Sequence, residues 1–500
     1  MVVKMKILNI SPMTITIELK NDKPYYYDKE YDVFLNDSFL FKDNRNVITI
    51  FNLSPNNKYK LKILDDEILF ETLNVNKIIN IKDYTYHDGI NDDTNNINNI
   101  IDKCEDDTLL YFDKGYYLIT SLFLKNNITL YLNKDAILYG ITDRNKYSYF
   151  KKENKIGVWE GNYEDQFFST INMINCNNIN IIGEGEIYPN ASNSDWYINH
   201  RIKNIAYRGH AIYSNNSNNI NIIGIYIHDT QSWAIHPFKS NNINIYNIFI
   251  KNNPNMPTTD GIDPDMSKNM NIMGCIFDVG DDCIAIKSGT YNLALELNTP
   301  SSNIYIANNL MRSGHGGIVF GSESSAGINN IHVEKCIFEN TDRGFRIKTR
   351  RGRGHIGIID NIIFDNIIMN NVKTPFVINM YYNMGPKGGH DEYVWSTKYH
   401  EFNEYTPIIK DFKFSNIKCY NIEYAAGVFL GLPESKIGSL EFENIVFNYK
   451  DDANDGYPVM IEHNFKMKKN GIYAFNVENI ITNNVIFIGN DGEEIRKEES

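Results

Sequence analysis

The sequence lacks a long hydrophobic run. Nothing in its 500 residues approaches the roughly 18 consecutive apolar residues of a membrane-spanning helix, so no helical membrane span is expected. The opening stretch Met1-Val-Val-Lys-Met-Lys-Ile-Leu-Asn-Ile also lacks the apolar core of a signal peptide, and the expectation is a cytoplasmic chain, or a secreted one if a leader has been removed. Cations are in deficit: 49 Lys and Arg stand against 62 Asp and Glu, a formal net charge of −13. That balance argues against a partner that is nucleic acid or an anionic membrane. The six cysteines, Cys104, Cys176, Cys275, Cys283, Cys336 and Cys419, have no metal-type spacing, and no metal or cofactor is expected. A strand and a turn separate Cys275 from Cys283, which leaves a disulfide open, but buried free thiols fit a cytoplasmic chain better. No helix-period run is long enough for an α-solenoid.

Hydrophobic residues make up 42% of the chain and charged residues 22%, enough to bury a core. Two regimes are visible. Residues 1–75 hold short apolar or alternating runs at Val2–Leu8, Thr14–Leu19, Tyr31–Leu35, Val47–Leu53, Tyr59–Ile63 and Ile68–Leu73, separated by Asn, Asp and Pro turns. Such runs predict a small β-sandwich. The segment Leu53-Ser-Pro-Asn-Asn-Lys-Tyr59 between two of them resembles the turn of fibronectin type III modules, with Tyr59 as the corner tyrosine.

From residue 76 to 500 the pattern changes. A short amphipathic helix is predicted at Asn98–Cys104, then strands at Thr108–Phe112, Gly115–Ile119, Leu122–Leu124 and Ile128–Leu132. An Asn-apolar-x-apolar unit then recurs, beginning at Asn178, Asn219, Asn242, Asn269, Asn303, Asn330 and Asn361, at spacings of 41, 23, 27, 34, 27 and 31 residues. Repeats of this period built from short β-branched strands predict a right-handed parallel β-helix, one coil per repeat. The Asn is expected at a turn, where it tolerates left-handed backbone and bonds its neighbour on the next coil. The 41-residue gap implies a long loop or an unrecognised coil after Gly183.

Three clusters carry chemistry. Thr258-Thr-Asp260-Gly-Ile-Asp-Pro264 and Gly280-Asp281-Asp282-Cys283 lie about one coil apart, which stacks three carboxylates on one face. Like charges that close disfavour each other's ionisation, a cost for structure but a use where one group stays protonated and others act as bases. Neighbours on a regular strand point to opposite faces, so Asp281 and Asp282 need a turn or bulge to share a cleft, which Gly280 permits. Gly314-His315-Gly316 follows about one coil on, placing His315 near that face. The run 343–353 then holds six cations and no acid, with Arg346 and Lys348 two apart and so on one side of a strand. In an acidic chain, a basic patch beside a carboxylate cluster asks for an anionic ligand.

These four motifs, in this order, resemble the polygalacturonase family of glycoside hydrolases, whose signatures are Asn-Thr-Asp, Gly/Gln-Asp-Asp, Gly-His-Gly and Arg-Ile-Lys. The matches are Thr258-Thr259-Asp260, Gly280-Asp281-Asp282, Gly314-His315-Gly316 and Arg346-Ile347-Lys348, with Thr258 in place of the family Asn. The resemblance covers residues 80–480. It implies inverting hydrolysis of α-1,4-galacturonosidic bonds, with Asp281 as general acid, Asp260 and Asp282 activating water, His315 tuning the acid, and Arg346 with Lys348 holding the substrate carboxylate. Inversion leads one to expect carboxyl groups roughly 6.5–9.5 Å apart. The segments Gly317–Glu323 and Thr349–Arg353, the N-terminal module, and insertions at Lys146–Gln166 and Tyr381–Tyr405 look like the exo-acting branch. His236, Trp233, Glu323, Arg351 and Tyr382 are candidate substrate-binding residues, with Tyr381 and Trp395 as further aromatics that either stack on sugar or pack under a loop. The implied partner is a galacturonate-containing oligosaccharide or pectin, and small oligogalacturonides if the chain is cytoplasmic. A pectate lyase, a rhamnogalacturonan or other pectin-backbone hydrolase, and a non-catalytic β-helical carbohydrate-binding protein are the rivals.

Overall fold

The computed structural model describes residues 5–200, 202–383 and 391–500. The start of the first expected strand, and residues 384–390 within the expected insertion at Tyr381–Tyr405, lie outside the described residues.

The N-terminal runs fold as two antiparallel sheets. One pairs Met5–Ile10, Ile15–Leu19 and Val47–Ile50; the other orders Ser38–Arg45, Tyr26–Leu35, Lys58–Ile63 and Asp66–Glu71. Ile17, Ile48, Val33, Leu61 and Ile63 from both sheets share one buried cluster, so the sheets pack face to face. The strand Ser38–Arg45 was not foreseen from the sequence. Its signal was the Asn36-Asp37 pair, both at positive φ, which closes a two-residue hairpin. The Tyr59 hydroxyl accepts a bond from the Ser54 N–H at 2.8 Å, a corner-tyrosine arrangement.

The rest is a parallel β-helix. Each repeated Asn adopts positive φ, and its amide donates to an Asn one coil away: Asn219 to Asn178 at 3.0 Å, Asn269 to Asn241 at 2.8 Å, Asn303 to Asn269 at 3.0 Å. The amides therefore satisfy one another along the stack where the backbone turns. The strand Asn177–Gly183 pairs directly with Asn218–Ile223, so the 41-residue gap is one coil with a long excursion. Inside runs a column of Ile, Val, Leu and Phe. The first helix, Thr94–Lys103, buries Ile97 and Ile101 against its N-terminal end. The N-terminal sandwich lies along the flank, where Val47 joins Tyr131, Ile182, Ile223 and Met273 in one apolar patch. All six cysteines are buried free thiols. Among the described residues no helix is long and apolar enough to cross a membrane.

One face of the helix has a break. Four strands ending with Ile235–Phe238 lie on one side and seven beginning with Asp282–Ile286 on the other. Between them the coil containing residues 259–266 makes isolated bridges only, Ile262 to Ile235 and Ile284, Asp265 to Phe238 and Lys287. Pro264 in this coil has no N–H to offer a ladder. The carboxylates sit at this interruption.

Candidate active site

Register decides which side chains meet. The offset that pairs Ile262 with Ile284 also sets Asp260 beside Asp282, and the Gly261 N–H donates to the Asp282 carbonyl at 2.9 Å. Asp282 opens its strand and pairs with Gly316 on the next coil. Asp281 precedes the strand, and the His315 N–H donates to its carbonyl at 2.8 Å. The two adjacent aspartates share a cleft because Asp281 lies on the bend before the strand. Gly280 makes that bend: a Cβ there would stand 2.4 Å from the Asn253 carbonyl oxygen and 2.6 Å from that of Met256. One carboxylate oxygen from each of Asp260, Asp281 and Asp282 lies within 4.8 Å of the others. That is closer than the expected inverting spacing, because stacked coils bring like register positions to strand-neighbour distance.

Each carboxylate has its own environment. Burial pushes Asp281 up, but the His315 ring at 3.4 Å, the charge of Lys348 and the Thr258 N–H at 3.0 Å outweigh it and hold Asp281 well below the ordinary range. The same contact raises His315, against its partial burial. The two groups are thus coupled through one proton, and their opposite shifts favour the imidazole as its holder. Asp282 is fully buried, with Lys348 Nζ at 2.6 Å from one oxygen and an Arg346 nitrogen at 3.4 Å from the other. Gly316 leaves the room for this crossing, since a Cβ there would meet the Asp282 oxygen at 2.9 Å. Burial raises Asp260 well above the carboxylate range, helped by the charges of Asp263, Asp281 and Asp282 and opposed by Lys287. The three oxygens are close enough to share a cation, but lysine and arginine nitrogens already occupy both oxygens of Asp282, a poor donor set for a metal ion.

Thr258 has φ of 60°, unusual for a β-branched residue, and this turn aims its N–H at Asp281. Its hydroxyl accepts from Arg208 at 2.7 Å. Thr258 thus reaches Asp281 through its main chain.

A cavity of about 680 Å³ opens over the cluster. Asp260, Asp281, His315, Arg346, Lys348, Glu323 and Tyr382 line it, and Lys348 lies 5.7 Å from the Tyr382 ring centre. The inserted hairpin of Val158–Trp159 and Asn162–Tyr163 walls one side, held by Thr290, whose N–H and hydroxyl both donate to the Gly161 carbonyl at 3.0 Å. Trp159 stacks between Tyr207 at 5.4 Å and Trp233 at 5.7 Å, and all three reach the cavity.

Several expected residues lie elsewhere. His236 is fully buried behind Trp233, with Nδ1 3.0 Å from His210 Nε2, and burial pushes it down to about 3; it supports the wall and does not face the cavity. Arg351 is also buried. It holds both oxygens of Glu434, at 2.5 and 2.9 Å, and the carbonyls of Tyr393, Ser396 and Lys398, so it anchors a loop. Tyr381 is core, its hydroxyl donating to the Gly431 carbonyl, and Trp395 packs on His463.

Others were missed. Lys287 lines the cavity with Nζ 3.3 Å from Asp263, 3.5 Å from Glu323 and 4.6 Å from the centre of the Trp233 ring. Its signal was a lone cation ending the apolar run Cys283-Ile-Ala-Ile. Asp263 is fully buried and raised well above its ordinary range by burial. Arg350 and Arg353 line the cavity where Arg351 does not.

Residues 144–399 match the family model described as glycosyl hydrolases family 28. A probable polygalacturonase of Vitis vinifera is 27% identical over 68% of this chain and 66% of its own length; one of Arabidopsis thaliana is 34% identical over 46% of each. The chain thus spans less than two thirds of the length of these relatives. Among solved structures, the family 28 exopolygalacturonase of Yersinia enterocolitica superposes with a TM-score of 0.72 at 18% identity, covering 99% of this chain and 97% of that one. A hyperthermoactive exopolygalacturonase of Thermotoga maritima gives 0.64 at 24% identity, covering 82% and 92%. At these identities the likeness speaks for the fold.

Proposed function

The chain belongs to family 28 of the glycosyl hydrolases, and from that premise we propose that it hydrolyses α-1,4-galacturonosidic bonds of oligogalacturonides or pectin, from a chain end and with inversion. The observation that carries this is the convergence of Asp260, Asp281 and Asp282, each in a different electrostatic setting, beside the Arg346–Lys348 pair.

Asp281 protonates the leaving oxygen. It takes the shared proton from His315 once an anionic sugar fills the cavity and raises nearby carboxyls. Asp260 and Asp282 hold and activate the water. A covalent route through Asp282 is disfavoured, because Lys348 and Arg346 clamp its two oxygens. This argument, and not the carboxyl spacing, supports single displacement. Arg346 and Lys348 bind a substrate carboxylate from the far side of Asp282. The wall built by the Val158–Tyr163 hairpin supports attack at a chain end.

The experiment is incubation with trigalacturonate in the presence of EDTA, with proton NMR of the first product. Saturated galacturonate released as the β-anomer, and lost in Asp281→Asn, is the expected result. An unsaturated product, an α-anomer, or no turnover of any galacturonide would overturn the proposal. With polygalacturonate as substrate, a viscosity collapse before reducing ends accumulate would overturn chain-end action.

A further inference from the structure

Past Lys348 the chain leaves the strand and turns. The N–H groups of Gly352 and Gly354 both donate to the Tyr405 carbonyl, at 2.8 and 3.0 Å, the Arg353 N–H donates to the Arg350 carbonyl at 3.1 Å, and Arg350 bridges to Tyr381. Arg351 fixes the turn from beneath through Glu434 and three carbonyls. A turn held on both sides presents two guanidinium groups, Arg350 and Arg353, to the cavity.

Arg353 is 7% exposed, yet its Nε has no hydrogen-bond partner. Its terminal nitrogen meets the Ser322 hydroxyl at 3.3 Å, and Glu323 stands 3.7 Å away, too far for a fork. Burial and the neighbouring Arg350 charge push Arg353 down to about 10, and burial lowers Arg350 as well. Glu323 and Glu160 are the acids that face them, and Glu323 is divided between Arg353 and Lys287. A buried, orphaned guanidinium N–H on a rigid turn, in a cavity that holds Arg346 and Lys348 elsewhere, is a donor waiting for an acceptor.

We propose that Arg350 and Arg353 form a second carboxylate-binding point in this cavity, separate from Arg346 and Lys348, which reads the free carboxylate of a second uronate in the substrate. This rests on the galacturonide reading and deepens it: the substrate class is a uronate oligosaccharide unesterified at two sugars.

The test compares trigalacturonate with its fully methyl-esterified form on wild type, Arg353→Gln and Arg353→Lys, with circular dichroism to verify folding and Arg350→Gln as a second variant. Arg353→Gln is expected to lower kcat/KM on free trigalacturonate roughly 10- to 100-fold, the scale of a charge-assisted hydrogen bond, mainly through KM. The acid-to-ester ratio of kcat/KM should fall by a similar factor, with Arg353→Lys recovering part. Equal losses on acid and ester, or no loss, would overturn the proposal. If wild type cleaves neither compound, the hydrolase reading fails first. Calorimetric binding of trigalacturonate to wild type and Arg353→Gln then decides the carboxylate point by itself: weaker binding in the variant supports it and equal binding refutes it.

Discussion

Replacing His315 with Ala tests the shared proton directly. In the wild type the ring lies 3.4 Å from Asp281, His315 is raised from its ordinary 6.5, and Asp281 is held below its ordinary 3.8. The pair keeps one proton until the pH passes the raised imidazole value, so the alkaline limb of kcat/KM falls above 6.5. Without the ring, Asp281 must hold the proton alone. Its two largest acidifying influences vanish, while burial still pushes it up and Lys348 with the Thr258 N–H still pushes it down. The alkaline limb then drops into the ordinary carboxylate range of about 4–5. At pH 7 that leaves on the order of one molecule in 100 to 1,000 protonated. The stronger acid transfers its proton more readily, which offsets part of this, so a loss of roughly 30- to 300-fold in kcat/KM is expected at pH 7, shrinking to a few-fold at pH 5. Reducing-sugar release from trigalacturonate across pH 4–9 is the assay. A loss of the same factor at pH 5 and pH 7 would refute the reasoning, because it would show that His315 acts by contact and not through the proton.

Other expectations follow from single contacts. Asp260 is raised chiefly by burial and by Asp263, and lowered by Lys287; as a base it works ionised, so Lys287→Met should move the acid limb of the pH profile upward and Asp263→Asn downward, and shifts of the same sign would contradict this assignment. Gly280→Ala places a methyl 2.4 Å from the Asn253 carbonyl oxygen; it should displace Asp281 and cut kcat by roughly 100-fold or more while a thermal melt stays within a few degrees. Arg351→Met leaves Glu434 buried without its partner; a cost of about 3–5 kcal/mol is expected in denaturant unfolding, and an unchanged midpoint would show that the turn does not depend on this clamp. Thr258→Asn should relieve a β-branched residue held at φ 60° and raise stability by about 1 kcal/mol without loss of activity.

The β-helix was legible because its signal is physical and local. Each coil must turn, the turn demands positive φ, and Asn meets that demand while bonding to the next coil, so Asn178, Asn219 and Asn242 mark the stack in the sequence itself. The site was legible at one coil's spacing for the same reason: register turns sequence distance into contact, as with Asp260 beside Asp282 and His315 on Asp281. What stayed hidden depends on direction, which spacing alone does not carry. Asp263 and Lys287 meet where the coil makes isolated bridges only and departs from strand alternation. His236 sits near the cluster in sequence terms but points into the wall. The arginine run is the instructive case. The alternation that puts Arg346 and Lys348 on one side continues to Arg350 and passes over Arg351, which turns to Glu434 instead. Arg353 escapes that rule as well, because Gly352 reverses the chain and resets which face its side chain presents. In a β-helix, then, side-chain parity holds along the strand and must be read again after every turn, as Arg353 in the cavity wall requires.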